Sequence, residues 1–334
     1  MKILTISIAA YNVEKYIGFA LDSIIKSKYI DDIEAIVVND GSKDKTLEIA
    51  KKYENLYKDS IIVVDKNNLG YGSTINAALK IAKGKYFKLL DGDDFFNVTE
   101  LDKLIEMLKT IEVDIIINDY FIYSEWNKTF KRINVVGYKA NKVLPILNIF
   151  DYALNPRMTV KTKNLKENNI KITEKCLYTD TEFVLKSFLI SKNFMYIDIS
   201  PYNYRTGRFG QSMSMEGRIK HINEHEFIVK KLAKMVFDND IDEKNKKLYD
   251  YTYRLLVNNL LIYHLYCKPN DDNLKKCVDY CKYLKEDVKI PRSYFTKKEL
   301  KILDKPEKYY KRVTKSNRFK VKLKNLIKKI LWKK

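Results

Sequence analysis

Within the first hundred residues, short apolar or β-branched runs alternate with segments of helical periodicity, and this alternation restricts the fold more than any other feature. Ile3–Ala9, Ile33–Asn39, Ser60–Asp65 and Lys85–Leu90 read as strands. Val13–Lys26, Lys45–Tyr57 and Gly72–Ala82 read as the helices between them. Such β–α–β units build a parallel sheet covered on both faces, an α/β doubly wound arrangement. In these sheets ligands sit beyond the carboxyl ends of the strands. Three of those ends carry unusual residues: Ala9-Ala10-Tyr11-Asn12, Asn39-Asp40-Gly41-Ser42 and Asp91-Gly92-Asp93-Asp94. All three therefore belong to one rim.

The third end places three carboxylates within four positions, directly after the apolar strand Lys85–Leu90. Clustered carboxylates repel one another, and withdrawing them from water costs several kcal/mol each unless a partner compensates. A hard divalent cation, Mg²⁺ or Mn²⁺, suits such oxygens and can also take phosphate oxygens. A helix N-cap explains any one of these aspartates but not all three. Asp40 offers two acceptors for a uracil imide N–H or a ribose hydroxyl; an Asx turn with Gly41, or an N-cap, is the structural alternative.

Several ordered motifs resemble glycosyltransferase family 2. They are Ser7–Asn12 at the first strand end, Val37–Thr46 around Asp40, Asn68-Leu69-Gly70 with Asn76, and Ala82-Lys83-Gly84-Lys85-Tyr86 leading into Leu90–Asp94. The resemblance covers roughly 1–210 and is strongest to residue 96. It implies a GT-A fold and inverting transfer from a nucleotide-sugar donor, UDP-linked on this reading. By the same resemblance Ala9, Tyr11, Asp40, Asn68, Gly70, Asp91 and Gly92 contact the donor, with Asp91 on the ribose. Asp93 then holds the Mn²⁺ or Mg²⁺ that bridges the phosphates. Asp180, in Tyr178-Thr179-Asp180-Thr181-Glu182-Phe183, corresponds to the general base that deprotonates an acceptor hydroxyl. Thr179 stands where many members have an acid, which keeps Glu182 open as a second candidate. An N-cap role for Thr179 or Asp180 is the structural alternative.

Many members carry an arginine where this chain has Ile75, so the diphosphate is expected to depend more on the metal or on cations elsewhere. Arg205 and Arg208, the latter between Gly207 and Gly210, are the candidates. Gly70-Tyr71-Gly72 begins like a dinucleotide fingerprint but has Ile75 in the third glycine position. His221-Ile222-Asn223-Glu224-His225 matches the string H-x-x-E-H without an evident third zinc ligand.

The chain has 334 residues and a formal charge of +20, which raises nucleic acid as a partner. The charge is uneven, however. The first hundred residues are nearly neutral, while 308–334 carry ten Lys and two Arg with no acid. Nucleic acid is therefore not expected. The tail reads instead as an amphipathic helix for an anionic membrane surface, with Phe319, Leu323, Leu326, Ile327 and Ile330 on one face. Equal liposome flotation of a chain ending at Pro306 would refute that reading. No run of about eighteen apolar residues and no signal-peptide pattern is found, so a cytoplasmic protein, peripheral on the inner membrane face, is expected. The four cysteines show no C-x-x-C pair and read as reduced thiols. The expected divisions are a donor-binding half over 1–100, an acceptor-binding half over 101–215, a helical region over 216–307 and the basic tail over 308–334. The acceptor expected is a glycan, a lipid-linked saccharide or an envelope polymer. Two other classes remain on sequence grounds: a nucleotidyltransferase, although Ala9–Val13 lacks a basic Gly-rich loop, and a non-catalytic basic binding protein.

Overall fold

Four parallel strands form the half of the sheet that bears the rim: β1 (Leu4–Ala10), β2 (Ile33–Asp40), β3 (Ile61–Lys66) and β4 (Tyr86–Asp91), in the spatial order β3-β2-β1-β4. The connections are α1 (Ile17–Ile25), α2 (Thr46–Leu56) and α3 (Tyr71–Ile81). Side chains alternate between two apolar layers, as a pleat with period two requires. Leu4, Ile6, Ile8, Tyr86 and Leu90 pack on the α1 face, whereas Ile36, Val38, Phe87 and Leu89 pack on the α3 face. Between β3-side and β4-side neighbours, β1 turns Thr5 and Ser7 into the interior. Thr5 donates to Glu34 at 2.7 Å and accepts from the Gly84 N–H at 2.9 Å. A Cβ on Gly84 would lie 2.4 Å from the Thr5 nitrogen, so only glycine fits there.

The structure is a computed structural model that describes residues 2–135, 137–148, 155–208, 211, 215–237, 250, 252–260 and 271–308. After β4 come β5 (Phe95–Phe96), α4 (Val98–Thr110), β6 (Ile115–Ser124), β7 (Thr129–Ile133), β8 (Val143–Pro145), β9 (Met158–Lys161), α5 (Thr162–Glu167), α6 (Asp180–Leu189) and β10 (Asn193–Thr206). The full order is β3-β2-β1-β4-β9-β6-β10-β5, with β7 beside β6 and β8 beside β10. Strand β9 is antiparallel to both of its neighbours, and β6 and β10 are parallel to each other. The sheet is thus mostly parallel in its first half and mixed in its second. Sequence periodicity fades after residue 118 because β6 and β10 are buried on both faces over part of their length, which removes the alternation.

Two compact units divide the chain, Met1–Phe209 and Gly210–Lys334. In the second, α7 (Met215–Lys220), α8 (Ile222–Phe237), α9 (252–260), α10 (Asp271–Lys282) and α11 (Lys297–Asp304) surround a core that includes Val229, Leu256, Leu260, Tyr280 and Ile302. The sequence reads one helix over Glu216–Asp238; the chain instead breaks at His221. Thr296 and Glu299 form a capping box that fixes the start of α11.

Candidate active site at the strand ends

The register of the sheet sets Ala9 opposite Asp91 and Ala10 opposite Asn39, so the three polar strand ends do share one rim. The acidic turn closes on β1 through the Gly92 N–H, which donates to the Ala9 carbonyl at 2.9 Å. A Cβ at Gly92 would stand 2.7 Å from that same oxygen, so Gly92 and Ala9 act as backbone elements of the rim. Tyr11 is exposed beside them.

The three carboxylates have separate surroundings. Asp94 is fully buried; it accepts from the Tyr202 hydroxyl at 2.6 Å and from the Arg205 N–H at 2.7 Å. It orders the turn. Asp91 is half-buried, accepts from the Tyr71 hydroxyl at 2.7 Å, and its N–H donates to the Tyr202 oxygen at 3.2 Å. Asn155 donates to the Tyr71 oxygen at 3.0 Å. Asp93 forms an ion pair with Arg208. Burial first, and then the neighbouring charge of Asp93, push the Asp91 and Asp94 carboxyls above the usual range. Beneath the turn, Lys88 is fully buried and donates to the Pro156 and Met158 carbonyls at 3.0 and 3.2 Å. Burial pulls its ammonium down to about 7.

Asp40 sits at the end of β2 as expected, but neither an Asx turn nor an N-cap describes it. Its oxygens accept from the Leu69 N–H at 3.0 Å and the Gly70 N–H at 2.9 Å and pair with Lys66. Asp40 therefore shapes the Asn68–Gly70 loop at the rim, with Gly70 at φ +82°. The Asn68 carboxamide oxygen also accepts from the Gly70 N–H, at 3.3 Å. The N-cap of α2 is Lys45, which makes no side-chain cap bond; Asp44, just before it and passed over in the sequence reading, accepts from both the N–H and the hydroxyl of Thr46.

Asp180 opens α6, with Thr179 before it making no side-chain cap bond. Burial raises its carboxyl, while the Thr181 N–H acts the other way. The Asp180 charge acts in turn on Asp91 and on Tyr71, which brings Asp180 into the same acidic cluster. Glu182 points elsewhere. It is fully buried, accepts from the Thr173 N–H at 2.9 Å and pairs with Lys186 at 2.8 Å, so it anchors the segment before α6. Asn76 holds the same segment through the Ile172 N–H at 2.8 Å. Gly72 touches it too: a Cβ there would come within 2.0 Å of the Thr173 oxygen. The Gly70-Tyr71-Gly72 string thus serves a turn and a close approach.

Arg205 is 5% exposed, donates to the Asp93 carbonyl at 2.7 Å and pairs with Glu125. This corrects the expectation that either arginine suits a diphosphate, since Arg205 is committed to the scaffold. Arg208 alone of the two points its guanidinium at an acidic side chain of the rim. His221 contacts Glu224 and His225 contacts Asn259, and no group of three metal-ligating side chains occurs among the described residues. Cys176, Cys277 and Cys281 are buried thiols that form no disulfide. The amphipathic reading of the tail falls on 309–334, outside the described residues.

Residues 5–169 match the sequence profile described as glycosyl transferase family 2. The chain belongs to that family. It is 25% identical over 253 residues to the poly(ribitol-phosphate) beta-N-acetylglucosaminyltransferase TarS of Staphylococcus aureus, covering 72% of this chain and 42% of TarS. It therefore spans less than half of that relative's length. A shorter match, 36% identical over 128 residues, links it to the UDP-Glc:alpha-D-GlcNAc-diphosphoundecaprenol beta-1,3-glucosyltransferase WfaP of Escherichia coli, with 38% of this chain and 49% of WfaP covered. The crystal structure of S. aureus TarS residues 1–349 with UDP-GlcNAc superposes with a TM-score of 0.69 at 22% identity, covering 95% of this chain and 92% of that one. The mannosyltransferase PcManGT from Pyrobaculum calidifontis, with GDP-Man and Mn²⁺, gives 0.55 at 15% identity, covering 97% and 86%. The fold is GT-A, followed by a helical region.

Proposed function

We propose that the chain transfers a sugar, with inversion, from a UDP-linked donor to a hydroxyl of a cell-envelope glycan or polymer. One observation carries this reading: Asp91, Asp93 and Asp180, nearly ninety residues apart in sequence, gather at the carboxyl end of a parallel strand of a family 2 fold. The printed descriptions of TarS, with UDP-GlcNAc, and of WfaP support the donor and acceptor classes.

The donor set suits a divalent ion. Asp93 and Asp91 supply hard oxygens, and Mg²⁺ or Mn²⁺ at nucleotide sites needs only one or two protein carboxylates besides phosphate oxygens. Asp93 would hold it; when bound, the ion supplies positive charge against the developing diphosphate leaving group. Asp91 is assigned to the ribose hydroxyls, with the Tyr71 hydroxyl fixing its orientation. The Asn68–Gly70 loop, shaped by Asp40, is assigned to the base end of the nucleotide. Asp180 accepts the acceptor proton while the new bond forms to the anomeric carbon and the bond to the diphosphate oxygen breaks. Its raised affinity for a proton makes it a stronger base than an ordinary carboxylate.

The test is transfer or hydrolysis of UDP-sugars in the presence of Mn²⁺. Asp93→Asn is expected to weaken Mn²⁺-dependent UDP binding, and Asp180→Asn to retain UDP binding while losing about a hundredfold or more in turnover. Full turnover by both variants would overturn the assignment.

A further inference from the structure

Beside the acidic turn lies a groove of about 670 Å³ that the reaction as proposed leaves unused. Its floor is Arg205, whose guanidinium carbon lies 5.0–5.5 Å from the ring centres of Tyr16, Phe19, Phe95 and Tyr123. Those stacks account for the inner faces of the rings. They do not account for the outer ones: Phe19 is 60% exposed and Phe130, stacked 4.9 Å from Tyr123, is 52% exposed. A second groove of about 320 Å³ shares Phe95, Phe96 and Val98 with the first and adds Asn97, Thr99 and Asn203 as polar lining. The two share those three lining residues and both open to solvent, a trough rather than a closed pocket.

Two features say what lies in it. The first is continuity with the rim. The Tyr16 ring, 5.1 Å from Arg205, is also 5.8 Å from the guanidinium of Arg208, which pairs with Asp93. The second is charge. The acidic groups of the lining are already engaged, Asp22 by the Tyr53 hydroxyl at 2.7 Å and Glu125 by Arg205 and Lys128. Lys15 and Lys26, both exposed, have no ion-pair partner among the described residues. Aromatic faces pack against the C–H faces of sugar rings and polyols, and unpaired ammonium groups attract phosphate.

We infer that this trough binds the acceptor, and that the acceptor is a sugar or polyol chain carrying phosphodiester groups. Its carbon faces lie on Phe19 and Phe130 and its phosphates face Lys15 and Lys26. The word acceptor rests on the transfer reaction proposed above; the binding of such a chain does not.

Calorimetric titration of the whole chain with a synthetic polyol-phosphate hexamer, and with a neutral N-acetylglucosamine oligomer of equal length, tests it. The phosphate oligomer is expected to bind about tenfold more tightly than the neutral one and to weaken as salt is raised. Phe19→Ala and the pair Lys15→Ala, Lys26→Ala should each weaken it about fivefold or more, with UDP affinity unchanged. Both sites are on the surface, and melting temperatures confirm that the variants fold. Equal affinity for the neutral oligomer overturns the phosphate assignment, and unchanged affinity in the variants overturns the trough. Binding to phosphatidylglycerol vesicles that these variants lose, without oligomer binding, overturns it in favour of a lipid surface. UDP titration of the unaltered chain reports separately on the transfer reading.

Discussion

The Tyr202 hydroxyl donates to Asp94 at 2.6 Å, joining residues 108 positions apart in the chain. The same oxygen accepts from the Asp91 N–H, so one phenol on β10 holds the acidic turn of β4 at two points. Tyr202→Phe keeps the ring, which packs edge-on against Phe96, and removes only the hydroxyl. Asp94 is then left buried with one donor fewer. A loss of about 1–3 kcal/mol in stability is expected, together with reduced turnover because the turn loses its support. Urea unfolding and steady-state kinetics on the variant check both, and a variant as stable as the parent would deny the bridge its importance.

Arg208 pairs with Asp93, the carboxylate assigned to the divalent ion. A guanidinium and a metal compete for the same oxygens, so binding of one requires the other to move. Removing the guanidinium should therefore favour the ion. Arg208→Ala is expected to raise Mn²⁺ affinity several-fold in the absence of nucleotide, as read by electron paramagnetic resonance of free Mn²⁺. If the guanidinium moves to the diphosphate on donor binding, the same variant binds UDP less tightly. Unchanged values for both would leave Arg208 as surface charge.

Burial raises the Asp180 carboxyl above its ordinary value of 3.8. A general base works only when ionised, so activity falls as pH drops through the raised value. The acid limb of kcat is therefore expected above the ordinary carboxylate range, and the basic side of the profile owes nothing to this group. An acid limb at or below 3.8 would exclude Asp180 as the base.

Gly72 lies against the segment that leads to α6. An added methyl would sit 2.9 Å from the Ile172 side chain and 2.0 Å from the Thr173 oxygen, and the second contact is one that backbone movement alone can relieve. Gly72→Ala normally favours a helix by up to about 1 kcal/mol. Here the sign is expected to reverse, with a loss of about 2 kcal/mol or more in urea unfolding. Turnover should fall with it, since the 172–173 segment that leads toward Asp180 would be displaced.

The parallel half of the sheet was legible in the chain because each strand there is a short apolar run closed by polar residues. Asp40, Gly70, Gly92 and the acidic turn could be named from local motifs for the same reason, since strand ends and tight turns impose their residue types within a few positions. Glu182 was harder. Two positions from Asp180 it stood as a second candidate, and only the geometry at the start of α6 turns it toward Thr173 and Lys186. Arg205 and Arg208 likewise looked alike, until β10 carried one inward to Glu125 and left the other on Asp93.

By itself, then, the order of residues determined the β–α–β framework, the rim and the family, because these follow from periodicity and contiguous motifs. The tertiary structure decided which partner each of the three aspartates of the turn takes. It placed Tyr202, Tyr71 and Arg208 on Asp94, Asp91 and Asp93 respectively, across separations of 108, 20 and 115 residues. A carboxylate's proton affinity and partner depend on what surrounds it in space, and neither is written in its neighbours along the chain.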